Sequence, residues 1–189
     1  VGHADTFVRS GAEVPASAPR DLQVTEEHEG RYSGEREVGR GGLGRGAATY
    51  DRHLARQVAK KELLTAEQEA AQAGSGSQSQ AVARFLREAR VTAQLEHPNI
   101  VPVYELGRRD GGELYYTMKL VRGRTLKAAI AAADDMQDRL SLLSHFVDLC
   151  QAIAYAHSRG VIHRDIKPDN VMIGEFGETL VLDWGVAKL

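Results

Sequence analysis

The residues best suited to chemistry lie close together near the end of the sequence. Residues 163–170 read His-Arg-Asp-Ile-Lys-Pro-Asp-Asn, and Asp183 of an Asp-Trp-Gly motif follows 13 residues after Asn170. Phosphoryl transfer requires a carboxylate that orients the attacking hydroxyl, a cation beside the transferred phosphate and oxygen ligands for magnesium. This short stretch contains side chains of all three kinds, so it predicts a phosphoryl-transfer site.

A glycine-rich turn is a second candidate site. Gly39, Gly41 and Gly44 fit the pattern G-x-G-x-x-G, and glycines let the backbone approach phosphates and point amide hydrogens at them. The pattern also fits the turn of a dinucleotide-binding domain, but that turn must open a helix. Here strand-like residues 47–50 and then a second polar turn follow, so we predict a β-hairpin around the glycines.

Two adjacent lysines follow on the next predicted strand. Lys61 lies 17 residues beyond Gly44, and because side chains alternate along a strand, Lys60 faces the opposite side. Glu88 lies on the following predicted helix, and an inward-facing lysine paired with it would be held ready to bind phosphate oxygens. Alone, these residues also fit a solvated lysine and a surface glutamate, so their assignment depends on the other motifs.

Together, these motifs resemble those of the protein kinase family, particularly bacterial serine/threonine kinases, and the resemblance covers residues 31–189. It implies an α+β, two-lobed fold with a complete small lobe, formed by a five-stranded antiparallel sheet and one helix, and only the first part of a helical large lobe. It further implies ATP and Mg²⁺ as cofactors and a protein substrate with a serine or threonine acceptor.

The resemblance implies a role for each polar residue near the end of the sequence. Asp165 would be the catalytic base, and Lys167 would contact the γ-phosphate and the hydroxyl, lysine here being the serine/threonine-kinase choice. Asn170 and Asp183 would bind the metal. Arg164 would pair with a phosphate on an activation segment that lies beyond this sequence.

The nucleotide site implied by the resemblance is spread over both lobes. Lys61 and Glu88 would form the activating ion pair, and the three glycines would lie over the phosphates. Met118 would be the gatekeeper beside the adenine. The full implied nucleotide-binding set is Gly39, Gly41, Gly44, Ala59, Lys61, Met118, Lys119, Val121 and Met172. In that set, Ala59 and Met172 sandwich the adenine ring, while the Lys119 and Val121 backbones form its hinge hydrogen bonds.

Two positions depart from the family pattern. Gly46 stands where kinases usually have a valine that covers the adenine, and loss of such a side chain costs at most about 1.5–3 kcal/mol, so ATP binding should be weaker. Trp184 replaces the usual phenylalanine of Asp-Phe-Gly. It would stack in a column with His163, Thr92 and Val103 that marks the active arrangement, or it is simply a bulky core residue.

The elements that must position these residues follow from composition and periodicity, and the resemblance assigns them to the two lobes and the hinge. Residues 1–30 have the low apolar periodicity of a disordered lead-in, and residues 31–117 form the predicted small lobe. Within that lobe, residues 64–80 are rich in Gly, Ser and Gln and predict a flexible linker. Residues 118–189 form the predicted hinge and partial large lobe.

Hydrophobic periodicity predicts five strands and three helices. The predicted strands are residues 32–38, 47–50, 58–63, 100–106 and 113–121. The predicted helices are residues 81–95, 126–133 and 140–157. The last helix carries a broad apolar face, and Gly160 follows it in the usual position past a helix end.

Composition restricts the possible partners and the compartment. The net charge of -2 gives no general attraction to nucleic acid or anionic membranes, and we predict neither as a primary partner. No apolar run approaches the roughly 18 residues of a membrane helix. The single cysteine, Cys150, lies in an apolar helical stretch, which predicts a buried thiol and suits a reducing cytoplasm.

Two functional hypotheses remain open from the sequence. The first is an active serine/threonine kinase, and the second is a pseudokinase that binds nucleotide or a partner without turnover. The complete set of charged site residues favours the first, while Gly46 favours the second. Because the sequence begins at Val1 and ends at Leu189 in mid-pattern, both ends look cut. We therefore expect this piece alone to be inactive, and a missing segment could anchor the whole protein to a membrane.

Overall fold

The computed structural model of the protein describes residues 24–41, 44–63 and 78–188. Most of the predicted lead-in (residues 1–23) and of the predicted linker (residues 64–77) lie outside the described residues, as do two residues of the glycine turn. No helix within the described ranges is both long enough and apolar enough to span a membrane.

A six-stranded sheet forms the first part of the fold. Its strands are β1 (Thr25–Glu26), β2 (Tyr32–Gly41), β3 (Gly44–Asp51), β4 (Arg56–Leu63), β5 (Val103–Arg108) and β6 (Leu114–Lys119). Their order across the sheet is β1-β5-β6-β4-β3-β2, so β4 lies in the interior of the sheet. The five predicted strands pair antiparallel, as the resemblance implied.

The sixth strand corrects the sequence prediction. Thr25 and Glu26, assigned to a lead-in without structure, pair in parallel with Gly107 and Arg108 of β5. The pairing continues into the next residue, whose amide donates to the Arg108 carbonyl at 2.8 Å. Two exposed residues carry no apolar alternation, so only the pairing with a distant strand reveals this element.

One helix, α1 (Gln78–Ala93), packs against the sheet. Its Phe85 is fully buried and lies in a cluster with Ala89, Leu114 and Tyr116. The helix begins three residues before the predicted start at residue 81, so residues 78–80 are helical and do not belong to a linker. The polar first turn has no apolar periodicity, and a hydrophobic pattern therefore misses it.

The second part of the fold combines three helices with a three-stranded sheet. The elements are β7 (Gly123–Thr125), α2 (Leu126–Ala131), α3 (Met136–Ser141), α4 (Leu143–Ser158), β8 (Val171–Gly174) and β9 (Thr179–Val181). The single helix predicted at residues 140–157 is wrong, because α3 and α4 meet at Leu142. Asp135 caps α3 by accepting from the Asp138 amide at 2.8 Å, a polar start that apolar spacing does not show.

The link between the two parts runs through a segment predicted as strand. Residues 100–106 were expected to form one strand, but β5 begins only at Val103. Ile100 instead forms an isolated bridge with Val181 of β9. Pro102 interrupts the strand because it has no amide hydrogen, although its carbonyl accepts from the Lys119 amide at 3.1 Å.

Helix α4 buries one face and exposes the other. Leu149, Ala152 and Ala156 lie in the core of the second part. Phe146 is 57% exposed, and Cys150 is also exposed, so the prediction of a buried thiol is wrong. Because apolar residues lie on both faces of α4, the sequence around Cys150 did not show which face is buried.

Candidate active site

The buried side chain of His163 anchors the loop at residues 163–170. The His163 ring is 1% exposed; its Nδ1 accepts from the Asp165 amide at 3.2 Å, so its Nε2 carries the hydrogen donated to the Leu182 carbonyl at 3.0 Å. Arg164 has a φ of 66°, a left-handed conformation that turns the chain sharply. This turn places the Asp165 side chain beside the residues that follow it.

The predicted catalytic side chains converge around the Asp165 carboxylate. Lys167 Nζ donates to Asp165 Oδ2 at 2.7 Å, and Asn170 Nδ2 donates to the same oxygen at 3.1 Å and to the Asp165 carbonyl at 2.9 Å. The hydrogen bond from Lys167 lowers the pKa of Asp165, and the same hydrogen bond raises the pKa of Lys167. Asp165 is therefore an ionised carboxylate at neutral pH.

Two oxygen groups in the site fit a magnesium ion. Because the amide nitrogen of Asn170 is bound to Asp165, its carbonyl Oδ1 is left as the group that can face a cation. Asp183 is exposed and has a φ of 57°, a left-handed conformation that aspartate tolerates. The Leu182 amide donates to the Asn170 carbonyl at 2.8 Å, which ties the chain beside Asp183 to this loop. Carboxylate and amide oxygens suit Mg²⁺.

The structure brings Lys61 and Glu88 together as the sequence predicted. Lys61 Nζ donates to Glu88 Oε1 at 2.5 Å, across the interface between β4 and α1. The glutamate is 1% exposed and the lysine 18%, so the pair is largely removed from water but open on the lysine side. A charge held in this way can still reach a bound anion.

The sequence did not indicate one residue that contacts this ion pair. Tyr116 on β6 is Lys61's cross-strand neighbour, and its hydroxyl donates to Glu88 Oε1 at 2.7 Å. Burial and the neighbouring Glu88 charge raise the pKa of Tyr116 well above its ordinary value, so the hydroxyl stays a donor. Period-2 alternation could have revealed it, because Tyr116 lies two residues before Met118 on the same face.

The glycine turn has one position that requires glycine and others that have space for a side chain. A side chain on Gly44 would collide with the Glu62 carbonyl, so the close pairing of β3 with β4 excludes one. Gly41 pairs with Gly44, and a Cβ on Gly39 would meet nothing within 4 Å. A Cβ on Gly46 would lie 3.4 Å from the Gly39 carbonyl, which is ordinary contact. The hairpin prediction is confirmed, and Gly46 could accept a side chain.

The residues expected around adenine lie on both parts of the fold. Ala59 and Met118 are cross-strand neighbours on β4 and β6, and Met172 lies on β8 of the second sheet. The Lys119 amide donates to the Pro102 carbonyl at 3.1 Å. Val121 follows in the segment between β6 and β7.

Trp184 is a buried residue that contacts one member of the predicted column, His163. Its ring is 1% exposed and belongs to the core of the second part. It also lies against His163, with ring centroids 4.5 Å apart. Thr92 is buried and donates to the Glu88 carbonyl at 2.8 Å, while Val103 lies with it in a cavity of about 510 Å³. Trp184 thus packs in the core while contacting the histidine that anchors the catalytic loop.

Comparison with known proteins agrees with this geometry. Residues 32–189 match the family described as the protein kinase domain. The chain is 42% identical over 163 residues to a serine/threonine-protein kinase PknD of Protochlamydia amoebophila, covering 80% of this chain and 16% of that protein. It is 37% identical over 167 residues to the protein of the same name in Chlamydia trachomatis serovar D, covering 83% of this chain and 17% of that protein.

The related protein of Chlamydia caviae, also called serine/threonine-protein kinase PknD, is 36% identical over 167 residues. That match again covers 83% of this chain and 17% of the relative. The chain therefore spans about a sixth of the length of these relatives.

Proposed function

Because the chain belongs to the protein kinase family, we propose that the protein transfers the γ-phosphoryl group of ATP to serine or threonine hydroxyls of protein substrates. The observation that carries the proposal is the joint presence of two preassembled groups. Lys61 is already bonded to Glu88, and Asp165 is already bonded to Lys167 and Asn170. Phosphoryl transfer depends on such positioning more than on covalent chemistry by the protein.

The roles proposed for the charged residues follow from their contacts. Asp165 would accept the proton of the substrate hydroxyl as the hydroxyl oxygen bonds to the γ-phosphorus and the bond to the ADP oxygen breaks. Lys167 keeps Asp165 ionised and presents a positive charge beside the transferred group. Lys61, paired with Glu88, would bind phosphate oxygens.

Asn170 and Asp183 are the residues proposed to hold Mg²⁺, with the nucleotide's own phosphates completing the coordination. The ion would neutralise charge on the phosphates. In this chain, the Asn170 amide and the Leu182 backbone fix where the two oxygen ligands stand.

A nucleotide-binding module without turnover is the second candidate, and Gly46 is the observation that favours it. The test of both is transfer of labelled phosphate from ATP to a generic basic protein by the purified full-length protein. We expect magnesium-dependent incorporation on serine or threonine. Saturable nucleotide binding with no incorporation, at any enzyme concentration, would support the second candidate.

Replacing Tyr116 with Phe should lower kcat/KM for ATP about tenfold, or ~1.4 kcal/mol, because Glu88 loses one of its two donors while the ring and its packing remain. Steady-state kinetics with varied ATP measure the effect. Tyr115→Phe is the matched control, since that hydroxyl lies 3.5 Å from Glu105 rather than at Glu88, and the substitution keeps the ring beside Lys60. Equal loss in both variants would contradict the role given to Tyr116.

Replacing Gly46 with Val should tighten ATP binding about tenfold, because the new side chain would cover the adenine and a β-branched residue suits a strand. A Cβ at this position would lie 3.4 Å from the Gly39 carbonyl and 3.7 Å from Val38 Cγ2, both ordinary contacts. Calorimetric titration with a non-hydrolysable ATP analogue measures the affinity. Gly46→Ala is the control, since a methyl group is too short to reach the ring. Unchanged or weaker affinity in the valine variant would show that Gly46 does not face the adenine.

A further inference from the structure

The lysine next to Lys61 is buried on the other face of the sheet. Lys60 is 0% exposed, and its Nζ lies 2.9 Å from Glu27 Oε2 and 3.5 Å from carboxylate oxygens of Glu35 and Glu62. The two adjacent lysines of β4 are therefore each held by a carboxylate, on opposite faces. Sequence alternation predicted the opposite faces but not the burial.

Two tyrosine rings close the space around the Lys60 ammonium. Its Nζ lies 4.8 Å from the ring centroid of Tyr32 and 4.4 Å from that of Tyr115, within cation–π range. Burial, followed by the charge of Glu105, raises the pKa of Tyr32 to about 12, so the ring adds no negative charge. The only groups that can neutralise Lys60 in its described surroundings are the three glutamates.

Those glutamates are shared with two arginines. Arg109 lies 2.7 Å from Glu62 and 3.7 Å from Glu27 and also pairs with Glu35, while Arg45 lies 3.1 Å from Glu35 and 2.6 Å from Glu62. We call this group the outer charge cluster; it consists of Lys60, Arg45, Arg109, Glu27, Glu35 and Glu62. Three cations balance three carboxylates, so loss of one carboxylate leaves a net positive charge around a buried ammonium.

One of the three carboxylates comes from outside the region that matches the kinase family. Glu27 precedes the matched residues 32–189. It is placed by β1 and by its own amide, which donates to the Arg108 carbonyl at 2.8 Å. Beyond it, Arg31 lies 3.3 Å from Asp51, so the segment is fixed to the sheet on both sides of Glu27.

We propose that Glu27 is a positioning residue for phosphoryl transfer, acting through Lys60 to hold β4 and thereby Lys61 in place. Without Glu27, the buried ammonium keeps only the two carboxylates at 3.5 Å, which Arg45 and Arg109 also bind. Its burial is then less favourable, and a shift of β4 that returns it to water relieves the cost. Because Lys61 is the next residue, any such shift moves it away from Glu88. The inference rests on the proposed function of Lys61. It implies that the segment before residue 32 contributes to the geometry of the active site.

The test compares Glu27→Gln with Glu26→Gln in the full-length protein. Both substitutions remove one negative charge from neighbouring residues, but Glu26 is exposed. We expect Glu27→Gln to raise KM for ATP about tenfold and to leave KM for the protein substrate unchanged, while Glu26→Gln behaves as wild type. A merely structural defect reduces the amount of active enzyme and moves neither KM. An unchanged KM for ATP in Glu27→Gln, or an equal rise in Glu26→Gln, would overturn the proposal.

A charge-balanced double variant provides the second arm. Glu27→Gln combined with Lys60→Met leaves two arginines facing two carboxylates, so we expect KM for ATP to return to within about threefold of wild type. A double variant whose KM for ATP is no lower than that of Glu27→Gln contradicts the proposal. If Glu27→Gln does not fold, a double variant that also does not fold contradicts it as well. Titration with a non-hydrolysable ATP analogue gives the same comparison without turnover. Failure of the wild type to transfer phosphate would count against the proposed function, whereas equal analogue affinity in all variants would count against Glu27.

Discussion

Replacing Asp165 with Asn is expected to lower phosphoryl transfer by orders of magnitude and to leave nucleotide binding almost unchanged. The asparagine keeps the shape of the side chain but has no carboxylate to accept the proton of the hydroxyl. Positioned general bases contribute about 100- to 10,000-fold, so a loss in that range is expected in kcat. Nucleotide affinity should survive because Lys61 pairs with Glu88 and does not contact Asp165.

The measurement is single-turnover transfer of labelled phosphate, beside a titration with a non-hydrolysable ATP analogue. Asp169→Asn is the matched control, since this exposed carboxylate lies in the same loop and pairs with Lys127 at 2.9 Å. It should keep transfer within a few-fold of wild type. Activity of the Asp165 variant within about tenfold of wild type would remove Asp165 from the role of base.

The pH dependence of the wild type tests the same residue. Lys167 lowers the pKa of Asp165, so the carboxylate stays ionised below the ordinary pKa range of an aspartate. Activity that requires this base should therefore be retained at mildly acidic pH and fall only as the pH drops through the lowered pKa. Removing the partner charge in Lys167→Met should move that fall to higher pH.

The sequence predicted the parts of the site that depend on local spacing. Residues 163–170 form one turn, so the convergence of Lys167 and Asn170 on Asp165 follows from their separation along the chain. Strand alternation placed Lys60 and Lys61 on opposite faces, but the Lys61–Glu88 pair could be predicted only through the resemblance that the other motifs carry.

The parts that were missed depend on contacts between distant segments. Strand β1 exists because it pairs with β5, far along the chain, and nothing in its own two residues indicates a strand. The burial of Lys60 likewise requires carboxylates from β2, β4 and the segment after β1. Cys150 was misplaced for a related reason: which face of α4 is buried depends on what packs against it.

Replacing Lys61 with Met should lower phosphoryl transfer about 100-fold or more, comparable to the loss of one preorganised charge donor in other enzymes. The methionine has a similar length and suits the interior of the sheet, so the fold should persist. Glu88 would keep its hydrogen bond from Tyr116, which limits the cost of leaving that carboxylate without its cation. Circular dichroism and thermal unfolding check the fold, and steady-state transfer measures the loss.

The neighbouring substitution Lys60→Met is the sharpest control, because it removes the same charge from the same strand on the opposite face. Its carboxylate partners keep Arg45 and Arg109 as cations, so the excess negative charge is tolerated better than a buried ammonium without its nearest carboxylate. Transfer by Lys60→Met should therefore remain within about tenfold of wild type. The reverse order, with Lys61→Met active and Lys60→Met inactive, would show that the phosphate-binding lysine is Lys60. That result would also show that the pairing of Lys61 with Glu88 is not the arrangement used in the reaction.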